Sequence, residues 1–416
     1  MDNLEPIKCD IAIIGAGPAG LMAAGRASEL KAKVVLIEKN ERPGIKLSVT
    51  GGGRCNITNY IENYKNLSAN YNYGGRFLLS AFNKFGAKEV VDFFETNGLK
   101  TKTEKNNQVF PVSDKSQDVI KILTDNITRR NGKILTKETV KNIIIADNKI
   151  EKIILANGRE ITANNYILAT GGKSYPLTGS TGDAYKWLKA MGHNIISPRP
   201  ALTPIIVREK YIKELEGLSL SSVKLNLYQN NKKTIDLTGD MIFTANGISG
   251  PAGLNLSRYI DTLAGNFKIG LDFFPKLTLA ELDNNLQKIF ANNGQKNLKN
   301  CLLTLLSQKL TSAIINLLGL DEEKKGGIIN REERQAISGL LKDWRLTVMA
   351  LGDYSKAMIT AGGLDLKEVN PKNMRSKIIS NLFIAGELLD IDGPTGGYNL
   401  QVCWSTGYIA GENAAL

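Results

Sequence analysis

The sequence predicts an α/β protein in which a parallel-sheet domain, residues 1–195 with 357–416, is interrupted by an inserted domain of strands and helices, residues 196–356. Three observations predict it. The first forty residues run strand, glycine turn, helix, strand, the front of a βαβ unit. The texture changes at Pro198 and returns near Ala357. Finally, glycine is in excess, 40 of 416 residues against a usual share of about 7%, and the excess is local: sixteen glycines fall at 15–20, 51–53, 171–182, 362–363 and 386–397.

CDIAIIGAG (9–17) is a short apolar run rich in β-formers, PAGLMAAGRASELK (18–31) has helical composition, and AKVVLIEK (32–39) is a second buried strand. Helical patterns recur at 76–97 and 116–131. Alternating strands follow as LTKETVKNIIIAD, KIEKIILAN and REITANNYILAT, the last running into Gly171 and Gly172. In the inserted domain PALTPIIV, SSVKLNLYQ and KKTIDLTGDMIFT read as strands, with Asn230-Asn231 as a hairpin turn. After FKIGLDFFP the chain turns helical. Leu298, Cys301, Leu302, Leu305, Leu306, Leu310, Ala313, Ile314 and Leu317 mark one apolar stripe that Gly319 ends, and an amphipathic helix covers 331–344. AMITAGGL and IISNLFIAGELL restore the β-rich texture.

Composition excludes several classes. With 42% apolar and 23% charged residues the chain is neither disordered nor disulfide-dense. No apolar run reaches 18 residues, so no membrane partner is expected. The net charge of +12 is mostly lysine, spread without a block of five, which reads as a solvated basic surface rather than a nucleic-acid site. Cys9, Cys55, Cys301 and Cys403 form no C-x-x-C pair and His193 is the single histidine, so no metal site is expected. The apolar stretch 11–27 mimics a signal peptide, but Glu5 and Asp10 precede it and glycines punctuate it. A reducing cytoplasm is the expected location.

GAGPAG at 15–20 follows a strand, opens a helix and is followed by Glu38 at the end of the next strand. Gly15 permits the tight turn, Gly17 lets backbone approach a pyrophosphate, Gly20 lets helix and strand pack, and Glu38 accepts from a ribose hydroxyl. The C-terminal strand ending in Ala385-Gly386-Glu387, with the glycine segment 396–401 behind it, suits the ribityl chain and the N1/O2 edge of a flavin. FAD is therefore the expected bound cofactor. No second strand–GxGxxG–helix exists, so NAD(P)H would serve only as a transient reductant. In KLSVTGGGRCNITN (46–59) three glycines can form a nest of N–H donors with Arg54 as a cation beside it; a glycine-rich surface loop is the alternative.

GAGPAG, TGGGRCN, ATGGKSYP with GSTGD, PALTP, FTANGISGP, ITAGG and GELLDIDGPTGGYNLQ stand in an order that resembles the bacterial NAD(P)/FAD-dependent oxidoreductases of the BaiN-like, aminoacetone-oxidase-like flavoprotein family, over nearly the whole chain. The resemblance implies a Rossmann-like FAD-binding domain and an inserted β-barrel-plus-helical domain covering the flavin. It implies FAD contacts at Gly15, Gly17, Gly20, Glu38, Arg54, Thr170, Gly171, Glu387, Gly397, Asn399 and Leu400. Pro18, Ala19, Lys39, Gly52, Gly53, Cys55, Gly386 and Gly396 complete the candidate set. This chain departs from the family at Thr244-Ala245-Asn246, where a T-H-x-G-like string is expected, so a histidine role there does not carry over.

His193 reads as a turn residue satisfied by backbone after Gly192. Cys55 inside the nest could carry a lowered thiol pKa, Cys403 follows the flavin-directed segment, and Tyr398 could wall the flavin pocket or simply pack; these are the candidate catalytic residues. The expected activity is hydride transfer between a small organic substrate and flavin N5, with electrons exchanged with NAD(P)H or oxygen. Two alternatives stay open: a flavin-dependent RNA-modifying or RNA-binding protein, and a flavin-binding sensor without turnover.

Overall fold

The computed structural model describes residues 5–71, 74–261 and 264–416. The chain divides into two compact units, Met1–Ala201 with Tyr354–Leu416, and Leu202–Asp353.

A seven-stranded sheet forms the centre of the first unit. Ile7–Ile14 lies between Val34–Ile37 and Glu160–Leu168, parallel to both, and Lys133–Leu135 adds beyond Val34–Ile37. Ile11, Ile13, Val34, Val35, Leu36 and Ile37 are all buried, so both faces of these strands are covered, as a parallel sheet requires. The other edge of Glu160–Leu168 is shared. Its first residues pair antiparallel with Lys149–Leu155, which hairpins with Val140–Ala146; its last pair parallel with Leu382–Ile384. The C-terminal segment thus returns to the strand beside the N-terminal one.

Several expected elements are divided. The pattern at 76–97 forms two helices, Gly74–Lys84 and Ala87–Thr96, because Gly86 leaves the helical path and its N–H donates to Glu89 Oε2. The stripe beginning at Leu298 forms Leu298–Leu302 and Gln308–Leu318, separated where Ser307 turns extended; Gly319 ends it in the left-handed region, as expected. PALTPIIV is split between Ile195–Ala201 and Ile205–Val207, since Leu202 takes φ +50° and Pro204 has no N–H for a ladder.

In the second unit six strands close into a barrel in the order Ile205–Val207, Gly247–Ser249, Lys232–Thr244, Ser219–Gln229, Phe267–Asp272 and Trp344–Leu351, the last pairing back to the first. Asn230 and Asn231, both at positive φ, make the hairpin turn. Leu225, Leu227, Phe243, Ile269 and Leu346 of the strands share one core with Leu282, Leu286, Ile314, Ile337 and Leu341 of the helices. Among the described residues no helix is long and apolar enough to cross a membrane.

Candidate functional site

The register of the first sheet sets Ile14, Leu168 and Ile384 side by side. The residues that follow each strand, 15–20, 169–172 and 385–387, therefore meet at one end of the sheet, where open α/β sheets take their ligands. Gly15 stands at φ +100°, donates its N–H to the Ile37 carbonyl at 2.8 Å, and has no room for a side chain: a Cβ would lie 2.6 Å from the Ala169 carbonyl oxygen. Gly20 is pressed against Gly15, with a Cβ only 1.9 Å from its oxygen. Gly17 is different. It is ordinary extended backbone, caps the helix Pro18–Glu29 without a side chain, and a Cβ there would meet nothing within 4 Å. Pro18 fills the first helical position and the first turn carries no acidic residue, which leaves its amides suited to an anion. Ala19 packs where a Cβ on Gly386 would be, 2.8 Å away.

Glu38 is buried. Its Oε2 accepts from Ala16 N at 2.9 Å, and its Oε1 accepts from Asn40 N at 2.9 Å and Asn40 Nδ2 at 2.8 Å. A carboxylate offers about four lone-pair positions, so one remains for a ribose hydroxyl. Lys39, expected as a cofactor contact, has its ammonium placed beside Thr181 and Asp183: Nζ donates to Thr181 Oγ1 at 2.6 Å and Asp183 Oδ2 at 2.7 Å.

Gly51, Gly52 and Gly53 are all left-handed, consistent with a nest. Arg54, the cation expected beside it, is paired with carboxylates. Its Nε donates to Asp114 Oδ1 at 2.7 Å, its Nη2 to Glu104 Oε1 at 2.5 Å, and the guanidinium lies 4.0 Å from the centroid of the Phe110 ring. Cys55 is fully buried at φ +62°, and burial pushes its thiol up to about 12, the opposite of an activated cysteine. Cys403 is likewise buried, its thiol pushed up to about 12. Burial thus opposes the thiolate form at both cysteines, the reverse of the lowered thiol pKa expected at Cys55.

At the C-terminal end Gly396 and Gly397 are left-handed, and Gly397 caps the helix Tyr398–Ala414. Tyr398 is half-buried with its ring edge-on to Tyr71 at 6.0 Å. The Asn399 side chain is turned back on its own loop, Oδ1 accepting from Gly393 N at 2.8 Å and Nδ2 donating to the carbonyls of Gly393 and Pro394. Leu400 is partly buried against the core. Glu387 is engaged by residues no motif singled out: Oε1 accepts from Thr360 N at 2.8 Å and Ser174 Oγ at 2.9 Å, and Oε2 from Lys46 Nζ at 2.7 Å. Lys46, Ser174 and Thr360 each lie inside a glycine-rich string, which was their only sequence signal.

His193 is buried, and its ring is held by side chains rather than backbone, Nδ1 at 3.0 Å from Glu368 Oε2 and Nε2 at 3.1 Å from Ser376 Oγ. Among the described residues no group of three or more His, Cys, Asp or Glu could hold a metal ion.

FAD fits these residues on an observation independent of the motifs. Gly171 follows in the left-handed region, and the Thr170 hydroxyl beside Gly15 is buried without a hydrogen-bond partner. An unmade bond of this kind costs about 1–3 kcal/mol, and a ligand oxygen would satisfy it.

The comparisons agree with that geometry. A family model described as the HI0933-like protein Rossmann domain matches residues 9–413. The chain is 30% identical over 414 residues to a 3-dehydro-bile acid delta(4,6)-reductase of Clostridium scindens, covering 97% of this chain and 98% of the relative. It is 28% identical over 407 residues to a ribosomal RNA dihydrouridine synthase of Escherichia coli, covering 98% of each. Among solved structures, a 3-ketosteroid-delta4-(5alpha)-dehydrogenase from Rhodococcus jostii RHA1 superposes with a TM-score of 0.54 at 14% identity, over 100% of this chain and 98% of that one, a likeness of fold. The match runs through every glycine segment gathered at the end of the sheet: the chain belongs to the HI0933-like Rossmann-domain family and is an FAD-dependent oxidoreductase.

Proposed function

We propose that the chain transfers a hydride between bound FAD and a carbon–carbon double bond conjugated to a carbonyl, on a small organic substrate, with NAD(P)H as the transient reductant. The observation that carries the reading is the withdrawal of the protein's own reactive groups. All four cysteines are buried and both ring nitrogens of the one histidine are engaged, while open amides and an unpartnered hydroxyl face the strand ends. FAD bound there supplies the two-electron acceptor and donor. The first-turn amides of Pro18–Glu29 would hold its pyrophosphate, Glu38 a ribose hydroxyl, and the start of Tyr398–Ala414 the flavin edge. The relatives support the substrate class, since one is named for reducing 4,6 double bonds of a 3-dehydro bile acid and the other for making dihydrouridine.

The test is anaerobic. Holoenzyme reduced with NADH or NADPH is mixed with a panel of small conjugated enones, and reoxidation is followed by flavin absorbance. Rapid reoxidation by an enone is expected. A flavin that NAD(P)H does not reduce and no conjugated carbonyl reoxidises would refute the reading and leave a sensor without turnover. A second reading, in which the conjugated carbonyl is a uracil ring in RNA, is favoured by the Escherichia coli relative. Reoxidation by ribosomal RNA alone, suppressed steeply by salt, would select it.

A further inference from the structure

One ion pair ties together four of the glycine-bearing segments. Lys46 lies on the short helix Ile45–Val49, just before the left-handed glycines at 51–53. Its ammonium donates to Ser174 Oγ at 2.6 Å and to Glu387 Oε2 at 2.7 Å. Ser174 follows Gly171 and Gly172, and its hydroxyl donates to Glu387 Oε1 at 2.9 Å. Thr360, just ahead of Gly362 and Gly363, donates its N–H to the same oxygen at 2.8 Å, and its hydroxyl accepts from the N–H groups of Lys173 and Ser174. The knot is tight: a Cβ on Gly172 would stand 2.3 Å from Thr360 Oγ1 and 2.8 Å from Glu387 Oε1. The lysine and glutamate side chains keep only 20% and 16% of their exposure. An ion pair so far withdrawn from water is a poor choice for stability alone, and stranding either partner is worse.

We propose that Lys46 is a positioning residue for the bound FAD: by orienting and neutralising Glu387 it sets the reduction potential of the flavin. The proposal rests on the FAD reading above. Reduction adds negative charge to the flavin, which therefore responds to the net fixed charge of the groups around it. With the pair intact that contribution is balanced. Lys46→Met leaves a carboxylate uncompensated and disfavours the reduced form. Glu387→Gln leaves an ammonium uncompensated and favours it. The double variant is neutral again.

The midpoint potentials of the wild-type holoenzyme and the three variants decide the matter, measured by spectroelectrochemical titration. Lys46→Met is expected to move the reduced-to-oxidised equilibrium about tenfold toward the oxidised form, about 30 mV for a two-electron couple. Glu387→Gln should move it about as far the other way, and the double variant should lie within about threefold of wild type. Shifts of the same sign, or none, overturn the proposal. Should both single variants shed FAD, retention by the double variant supports charge balance and loss from all three overturns it; where one single variant keeps FAD, its direction of shift decides. A wild-type protein that binds no FAD would instead fail the reading beneath, while a wild type with a measurable potential and variants of the wrong sign fails this proposal alone.

Discussion

Gly15 and Gly17 stand in one turn, and the structure predicts opposite failures when each is replaced by alanine. At Gly17, φ −76° and ψ −177° suit any residue, and a methyl would meet no atom within 4 Å. The fold should lose no more than about 0.5 kcal/mol, and the stiffer unfolded chain even works in its favour. The open space that the methyl would fill, however, is the space through which the proposed pyrophosphate would approach this turn. A hydrogen bond to a charged group is worth about 1.5–3 kcal/mol, so the loss of one such contact to the pyrophosphate weakens FAD binding by about 10- to 150-fold. Gly15→Ala fails earlier. At φ +100° the strain is about 1–3 kcal/mol, and the added Cβ lies 2.6 Å from a backbone oxygen that cannot rotate away. That variant should unfold at distinctly lower urea. The assay pairs urea unfolding of the apo proteins, so that bound FAD does not inflate the wild-type value, with fluorescence titration of FAD. Wild-type affinity in Gly17→Ala would show that the cofactor does not approach this turn. Unfolding of Gly17→Ala as easy as that of Gly15→Ala would show that its effect on FAD is only loss of fold.

Thr170→Val keeps shape and removes the unpartnered hydroxyl, so the apo protein should unfold no more easily than wild type while FAD binds about 2- to 10-fold more weakly; unchanged FAD affinity would remove that hydroxyl from the site. With the Cys55 and Cys403 thiols pushed up to about 12, roughly one in ten thousand is thiolate at pH 8, so Ellman's reagent should label native protein far more slowly than free cysteine, and rapid native labelling of either would contradict their burial. Burial acts to raise the Glu412 carboxyl, but hydrogen bonds from Lys84 and Arg26 outweigh it and hold the group below its ordinary 4.5. Its stabilisation is therefore present above pH 4.5 and is lost as pH falls through the lowered value. Wild type should exceed Glu412→Gln in urea resistance at pH 7 and match it near pH 2; an equal gap at both would refute the pairing.

The parts of the molecule legible in the sequence are those set by constraints a few residues long. A left-handed turn or a backbone contact demands glycine at that position, which is why 15–20, 51–53 and 396–397 could be read without neighbours, and why two asparagines announce the 230–231 hairpin. Helix breaks at Gly86 and Ser307 escaped, because each interrupts an apolar periodicity that continues on both sides. Charges escaped for a deeper reason. A charged side chain read alone looks free for a ligand, yet removal from water obliges it to find a counter-charge wherever the chain brings one. Lys46, largely withdrawn from water, finds Glu387 at a separation of 341, whereas Arg54 pairs with Glu104 and Asp114, 50 and 60 residues on, while all three stay partly exposed. The sheet register brings the partners to one end of the sheet: Ile384 lies beside Leu168, Leu168 beside Ile14 and Ile14 beside Ile37, so the turn bearing Glu387 lies at the same end as the segment that leads to Lys46. Glycine supplies the clearance for those segments to converge, and convergence forces their few charged residues to neutralise one another. The motifs mark where the strand ends meet, and the long-range pairs determine the charge presented there.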